Sequence, residues 1–402
     1  MKYDAVVIGS GPAGMSAAIT LSKNGATVAV VDENPVAGGK LLAQLHKESK
    51  NSWWIGKDIA HELEKTMKQL NITIFQNTEV WGIFPKWRVL LNNSMELQTN
   101  HVLIASGAVE KAIPIPGWTI PGVMAIGAAQ MLTNYHRVKP GKKVAIIGID
   151  PLSLITANEL KTVGVDVVGI FIPPPIDYIH RLSNPKNIIS YLSTMANLAP
   201  SPLLKLSGNL AKTNFIQTMG ARYYPQKGIK VWGIPLYLKK TIIEIKGDNQ
   251  VEQIQIANVT TDGRLVENSQ YKIDVDCVCI SGGLYPLVEL AAAAKCDFIY
   301  IEELGGHVPL YSPEMETTQQ GIFVAGNCTG IEGAKIAMAQ GELAGVVISQ
   351  RLGLIKKNSV YLIKQAQEKV KKTRKNSPIT FQQHIEIGRE KADILWNKHF
   401  KL

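Results

Sequence analysis

Gly9-Ser10-Gly11-Pro12-Ala13-Gly14 directly follows an apolar run, Ala5 to Ile8, and directly precedes helix-forming residues; that order suits a pyrophosphate-binding turn. The first glycine permits the tight turn. Gly11 lets the main chain approach phosphate oxygens without a Cβ in the way, and Gly14 allows the helix to pack closely on the strand. Phosphates would rest on the N–H groups of the helix N-terminus, where the partial positive charge of the dipole is greatest. Ribose hydroxyls call for an acid at the end of the next strand, about twenty residues on. Asp32 stands there, with Glu33 as the adjacent rival.

The elements that must position these residues form a complete βαβ unit: a strand over 5–8, a helix over about 14–23 and a strand over 27–31. Further strands are expected over 72–80, 87–90 and 101–104. A Pro- and Gly-rich crossing, Ile113 to Gly122, has linker composition and marks a domain boundary. A helix over 126–135 and a second βαβ opening come next: strand 144–147, turn Gly148-Ile149-Asp150-Pro151, a helix through Leu160 and strand 165–171. Residues 188–213 are amphipathic and read as an inserted helical pair. Short strands over 229–280, one pair meeting at Thr261-Asp262-Gly263, precede a strand at 322–325 and a helix over 334–350 that return the chain to the first domain. Beyond Leu354 the sequence is Lys-rich with helical period.

Three further stretches carry a resemblance: Val31-Asp32-Glu33-Asn34-Pro35 with Gly38-Gly39-Lys40, then Ile104-Ala105-Ser106-Gly107-Ala108, then Gly321 to Asn327. Together they resemble the two-dinucleotide-binding-domain flavoproteins. The resemblance implies an α/β fold of two interleaved Rossmann-like, glutathione-reductase-like domains, here with a basic helical C-terminal tail. It implies FAD at the first turn, bound by Gly9, Gly11, Pro12, Ala13, Gly14, Asp32, Glu33, Gly39, Lys40, Ala105, Ser106, Gly107, Gly326 and Asn327. In that family the position of Asn327 is an acid that holds the ribityl chain; Asn keeps an acceptor and loses the charge. The expected division is 1–115 and 284–352 for the FAD domain, 116–283 for the second domain with its helical insert at about 182–215, and 353–402 for the tail.

Ile115 to Met124, Gly127-Ala128-Ala129-Gln130 and Gly330 to Lys335 are similar, more narrowly, to the FAD subunits of hydrogen cyanide synthase, opine oxidase and dye-linked L-proline dehydrogenase. That resemblance covers roughly 1–350. It implies a heteromer with a second flavin subunit of the D-amino-acid-oxidase or glycine-oxidase type, which oxidises a small amine or amino acid.

The second turn departs from the glycine pattern, with Gly148, Asp150 and Ser153 where three glycines would stand, and strand 165–171 ends without an acid. A carboxylate there would repel phosphate, which argues against NAD(P) or ATP in the second domain. Cys277, Cys279, Cys296 and Cys328 contain no two-residue-spaced redox pair, and the tail has no cysteines for an iron–sulfur module. Cys277 and Cys279 alternate on one strand face and read as core. Trp53-Trp54 reads as aromatic packing or as a cover for a flavin or partner. The eight histidines show no metal-ligand spacing.

Composition, 46% apolar and 19% charged, is that of a globular chain; the net charge of +10, much of it after Lys356, comes without a nucleic-acid-binding module. Every long apolar stretch is interrupted, so no transmembrane helix is expected, and the N-terminus lacks a signal-peptide pattern. A cytoplasmic protein that meets membranes only through partners is the expectation. The expected function is an FAD subunit of a heteromeric amine or amino-acid dehydrogenase that passes electrons to a non-oxygen acceptor. The rivals are a stand-alone NAD(P)H-dependent reductase of an electron carrier and a non-catalytic nucleotide-binding subunit that organises a complex.

Overall fold

The computed structural model describes residues 1–49, 52–176, 182–194, 214–377 and 379–399. In chain order its principal elements are β1 (Ala5–Ile8), α1 (Pro12–Lys23), β2 (Val28–Val31), α2 (Gly56–Gln69), β3 (Thr73–Phe75), β4 (His101–Ile104), β5 (Val123–Ala125), α3 (Ile126–Asn134), β6 (Lys143–Ile147), α4 (Pro151–Thr162), β7 (Asp166–Ile172), β8 (Ile234–Lys246), β9 (Gln253–Asn258), β10 (Tyr271–Asp274), β11 (Cys277–Ile280), β12 (Ile322–Val324), α5 (Ala334–Arg351), α6 (Ser359–Lys375) and α7 (Ile385–His399). They fall into two units, one of Met1–Val109, Leu284–Ser377 and 381–399, the other of Glu110–Gly283 with 379–380.

The first unit is built on a parallel sheet in the order β12-β4-β1-β2-β3. Its strands are apolar at successive positions because both faces are covered, and β1 is buried throughout. One cover is the pair α1 and α5. These helices approach closely through small residues: a Cβ on Gly341 would lie 2.0 Å from the Ala13 carbonyl oxygen, and one on Gly345 would lie 2.8 Å from Thr20 Cβ. The expected strand over 72–80 is broken into β3 and a strand at Val80–Phe84 by Asn77, whose φ of 50° no strand continues through. Helix α2 is an addition to the expected elements; Ile59, Leu63 and Met67 recur on one of its faces at helical spacing. The tail helices α6 and α7 lie within this unit, and α6 packs along α5.

The second unit carries the sheet β5-β11-β6-β7-β8-β9-β10, parallel through β8 and antiparallel beyond it. Thr261-Asp262-Gly263 closes a short ladder with a single bridge, Val259 to Leu265, rather than two full strands. The helical pair expected over 188–213 is described only at its start, by a helix at Pro185–Thr194; 195–213 lies outside the described residues, and a further helix follows at Asn214–Tyr223. No helix among the described residues is long and apolar enough to cross a membrane.

Between α3 and α4 the second unit buries a carboxyl. Glu159 is 9% exposed, and its Oε2 accepts a hydrogen bond from Gln130 Nε2 at 3.1 Å. Burial pushes it up to about 8, against the opposing hydrogen bonds of Gln130 and Asn134. A carboxyl whose folded value exceeds its unfolded one stabilises the fold when protonated, and that contribution is lost as pH rises from about 4.5 through about 8. Chemical denaturation is therefore expected to show stability falling by on the order of 3 kcal/mol between about pH 5 and about pH 8. Glu159→Gln should flatten that slope, and an unchanged slope in the variant would assign the pH dependence elsewhere.

Candidate functional site

The parallel strands of the first unit deliver most of the expected site residues to one edge, because β1, β2, β4 and β12 all end there. Gly9, after β1, has φ +98°, and a Cβ on it would lie 2.5 Å from the Ala105 carbonyl oxygen that follows β4. A Cβ on Gly14 would lie 1.9 Å from Gly9 O. Both glycines are thus required by the protein's own packing. Gly11 is different: its φ is −70°, and nothing lies within 4 Å of a Cβ placed there. Its bare backbone borders open space, the cradle that a closely approaching phosphate needs.

Gly11 is also the N-cap of α1, with no side-chain cap and no acid in the first turn. Gly333 repeats the arrangement on α5: no side-chain cap, no acid in the first turn, and nothing within 4 Å of an added Cβ. The N-termini of α1 and α5 therefore present N–H groups beside an open glycine, with no capping side chain and no acid in the first turn. These features fit the pyrophosphate and other anionic or acceptor groups of a dinucleotide.

Asp32 stands at the end of β2, buried, where the spacing puts it. Its Oδ2 accepts from Ser10 N at 2.5 Å and Ser10 Oγ at 2.6 Å, and its Oδ1 accepts from Asn34 N at 2.8 Å and Asn34 Nδ2 at 3.0 Å. In this arrangement the carboxylate ties the glycine turn to the second strand. The motif does not single out Ser10 or Asn34 as its partners; their polar side chains flanking the turn and the acid are the available signal. Glu33 and Lys40 have exposed side chains. The Gly38-Gly39 segment folds back on the first turn: Gly38 N donates to Ser10 O at 2.9 Å, and a Cβ on Gly39 would lie 3.4 Å from Gly11 Cα.

Ser106 Oγ donates to Leu287 O at 2.7 Å and Leu287 N donates to Gly107 O at 3.1 Å, so the crossing motif holds the returning chain. Gly326 has φ +81° and a would-be Cβ 3.0 Å from Ala13 Cβ, which brings the late motif against α1. Its N–H donates to Gln340 Oε1 at 2.8 Å. Gln340 is buried in a helix otherwise rich in small and apolar residues, and that contrast is the trace it leaves in the sequence. Asn327 Oδ1 accepts from Glu332 N at 3.0 Å. A backbone N–H must meet the amide oxygen, so one acceptor position of the asparagine is taken within the loop, and its second lone pair and the NH2 group remain to offer a ligand. Cys328 is buried, and burial pushes its thiol up to about 11, which leaves it unreactive at neutral pH.

The second unit handles the same geometry in the opposite way. Gly148 has φ +106°, and a Cβ there would lie 1.9 Å from Ser281 O, so this glycine too is demanded by packing. Asp150 caps α4 reciprocally with Ser153: Ser153 N donates to Asp150 Oδ1 at 2.8 Å, and Asp150 N donates to Ser153 Oγ at 2.9 Å. Ser281 Oγ donates to Asp150 Oδ2 at 2.5 Å. Burial pushes the Asp150 carboxyl up, against the hydrogen bonds from Ser281 and Ser153. Helix α3 is treated alike, since Gly127 N donates to Glu110 Oε2 at 3.1 Å. The unit's own carboxyl groups occupy these positions at the starts of α3 and α4.

Cys277 and Cys279 lie on β11 with sulfurs 3.9 Å apart, both fully buried and both free. Trp54 is buried, donates to Gln44 Oε1 at 3.0 Å and has Lys335 Nζ 5.1 Å from its ring centre, whereas Trp53 is 58% exposed. No cluster of metal-ligating side chains occurs among the described residues.

The profile of the pyridine nucleotide-disulphide oxidoreductase family matches residues 3–341. An opine oxidase subunit of Agrobacterium tumefaciens is 29% identical over 88% of this chain and 66% of its own length, so the present chain spans about two thirds of that relative. The hydrogen cyanide synthase subunit HcnB of Pseudomonas aeruginosa is 25% identical over 87% of this chain and 71% of its own. Among solved structures, L-proline dehydrogenase from P. horikoshii aligns with a TM-score of 0.63 at 20% identity, covering 92% of this chain and 59% of that one, a likeness of fold.

The two kinds of glycine separate by mutation. Gly11→Val is expected to keep the fold within about 1 kcal/mol of wild type while losing bound flavin. Gly14→Val is expected to destabilise by on the order of 3 kcal/mol or more. Thermal unfolding beside flavin absorbance checks both, and a Gly11→Val protein that retains its flavin would remove the cradle assignment.

Proposed function

The chain belongs to the pyridine nucleotide-disulphide oxidoreductase family, and from that premise we propose that it is the FAD-binding subunit of a heteromeric amine or amino-acid dehydrogenase. A partner flavin subunit of the D-amino-acid-oxidase or glycine-oxidase type oxidises the substrate's C–N bond, and this chain conveys the electrons to a non-oxygen acceptor. Bound FAD supplies the redox chemistry. The chain's own residues bind and orient it: N–H groups at the starts of α1 and α5 and the bare backbone at Gly11 receive its polar groups, while Asp32 and Gln340 hold the turns that present them.

The observation that carries this reading is the contrast between the units. One leaves the N-termini of α1 and α5 open beside unencumbered glycines, and the other fills those of α4 and α3 with Asp150 and Glu110. That contrast supports one dinucleotide per chain and speaks against a self-contained NAD(P)H reductase, which needs two. Disulfide chemistry is disfavoured by four buried cysteines without a redox pair. The names of two relatives, subunits of opine oxidase and hydrogen cyanide synthase, support the heteromeric form.

Co-purification under native conditions, followed by identification of companion proteins and released cofactors, tests the reading. The expected result is a companion flavoprotein and dye reduction by the complex with L-proline or another amine, absent from the isolated chain. Rapid bleaching of the isolated chain's flavin by NADH or NADPH would contradict it.

A further inference from the structure

The basic tail has no part in the function as read so far, yet it carries one of the most buried charged groups of the first unit. Arg389, on α7, is 9% exposed. Its guanidinium donates to Thr329 O at 2.6 Å, Thr329 Oγ1 at 3.3 Å, Gly330 O at 3.4 Å and Glu332 Oε2 at 2.7 Å, and also to the Tyr311 hydroxyl. Arg374, near the end of α6, reaches the same carboxylate with Nε 2.5 Å from Oε1 and Nη2 3.0 Å from Oε2. Lysine could supply the charge but not this planar fork of donors.

Apart from the Tyr311 hydroxyl, these acceptors belong to one loop, the stretch from Thr329 to Glu332 between the late motif and α5. The glycines make room for it: a Cβ on Gly330 would lie 2.9 Å from Arg389 Nη2, and one on Gly388 would lie 2.9 Å from Glu303 Cβ, where α7 sits on the rest of the unit. Glu332 is the link inward. Its carboxylate is held by the two arginines, and its own N–H is the donor that engages Asn327 Oδ1. The next residue, Gly333, is the open N-cap of α5. Burial alone would raise the Glu332 carboxyl, but Arg389 and Arg374 outweigh it and hold the group below its ordinary value, so it stays charged near neutral pH.

We infer that α6 and α7 form a clamp on the cofactor loop, with Arg374 and Arg389 as positioning residues that act through Glu332 on the Asn327 amide and on the start of α5. The inference rests on the proposed FAD site and adds to it that the residues after Leu354 are part of the binding apparatus.

Cys328, buried at the entry to that loop at 1% exposure, gives a readout that does not need the cofactor. The test uses the full chain, wild type and Arg374→Gln, with two measurements: the dissociation constant for FAD by titration of deflavinated protein, and the rate of iodoacetamide alkylation of each cysteine by mass spectrometry. Arg374→Gln is expected to weaken FAD binding about tenfold and to speed alkylation of Cys328 about tenfold. Cys277 and Cys279, in the other unit, should react at the wild-type rate, which separates a loosened loop from an unfolded protein. Arg389→Gln should move both readouts further in the same direction; if all four cysteines react rapidly in that variant it has unfolded, and Arg374→Gln decides.

Wild-type chain that takes up no FAD overturns the cofactor reading, while the Cys328 rates still test the clamp. Equal Cys328 alkylation in wild type and Arg374→Gln overturns the clamp itself. Faster Cys328 alkylation with unchanged FAD affinity overturns the positioning role.

Discussion

The first N–H groups of an α-helix have no partner within the helix, and something must receive them. How this chain answers that requirement separates its two units. In the first, α1 and α5 begin at glycines with no capping side chain and no acid in the opening turn, so their positive ends are left for a ligand. In the second, Asp150 and Glu110 take the corresponding places on α4 and α3. A carboxyl held there by Ser153 and Ser281 caps the helix and takes up donors that a phosphate at this turn would need. Under the proposed function, the retained βαβ frame is a scaffold rather than a second nucleotide site.

Much of this was legible in the sequence because it is local. A strand, a glycine turn, a helix and an acid lie within thirty-odd residues of the N-terminus, and the turn at Gly148 could be recognised as altered from Asp150 and Ser153 alone. Other parts were not legible because they depend on residues brought together from far along the chain. Ser281 reaches Asp150 across 131 positions, and Gln340 supports Gly326 only because α5 folds back onto the late motif. The motif already assigns Gly9 to the turn, Gly11 to the phosphate approach and Gly14 to packing; what it does not show is that Gly9 is also closed in, by the Ala105 carbonyl from far along the chain. In the sequence Asp150 reads as a source of repulsion; its hydrogen bonds make it the group that fills the site.

Asn327 and the tail show the same limit. Replacement of an acid by asparagine looks like a partial loss with the acceptor kept, but Glu332 N–H takes one position of that acceptor. The lysine-rich composition after Leu354 suggests a solvated face or a docking element, and it hides a buried arginine that is tied into the loop behind the late motif. Net charge says where cations are numerous. It does not say which one is desolvated, and that depends on α7 meeting the Thr329–Glu332 stretch.

The central claim is that each chain holds a single dinucleotide, in the first unit. Equilibrium dialysis of the flavin-loaded chain against radiolabelled NADH and NADPH, with total flavin measured on the same sample, tests it directly. One FAD per chain and no retained nicotinamide nucleotide is the predicted result. Retention of NADH or NADPH at one per chain alongside FAD would contradict it.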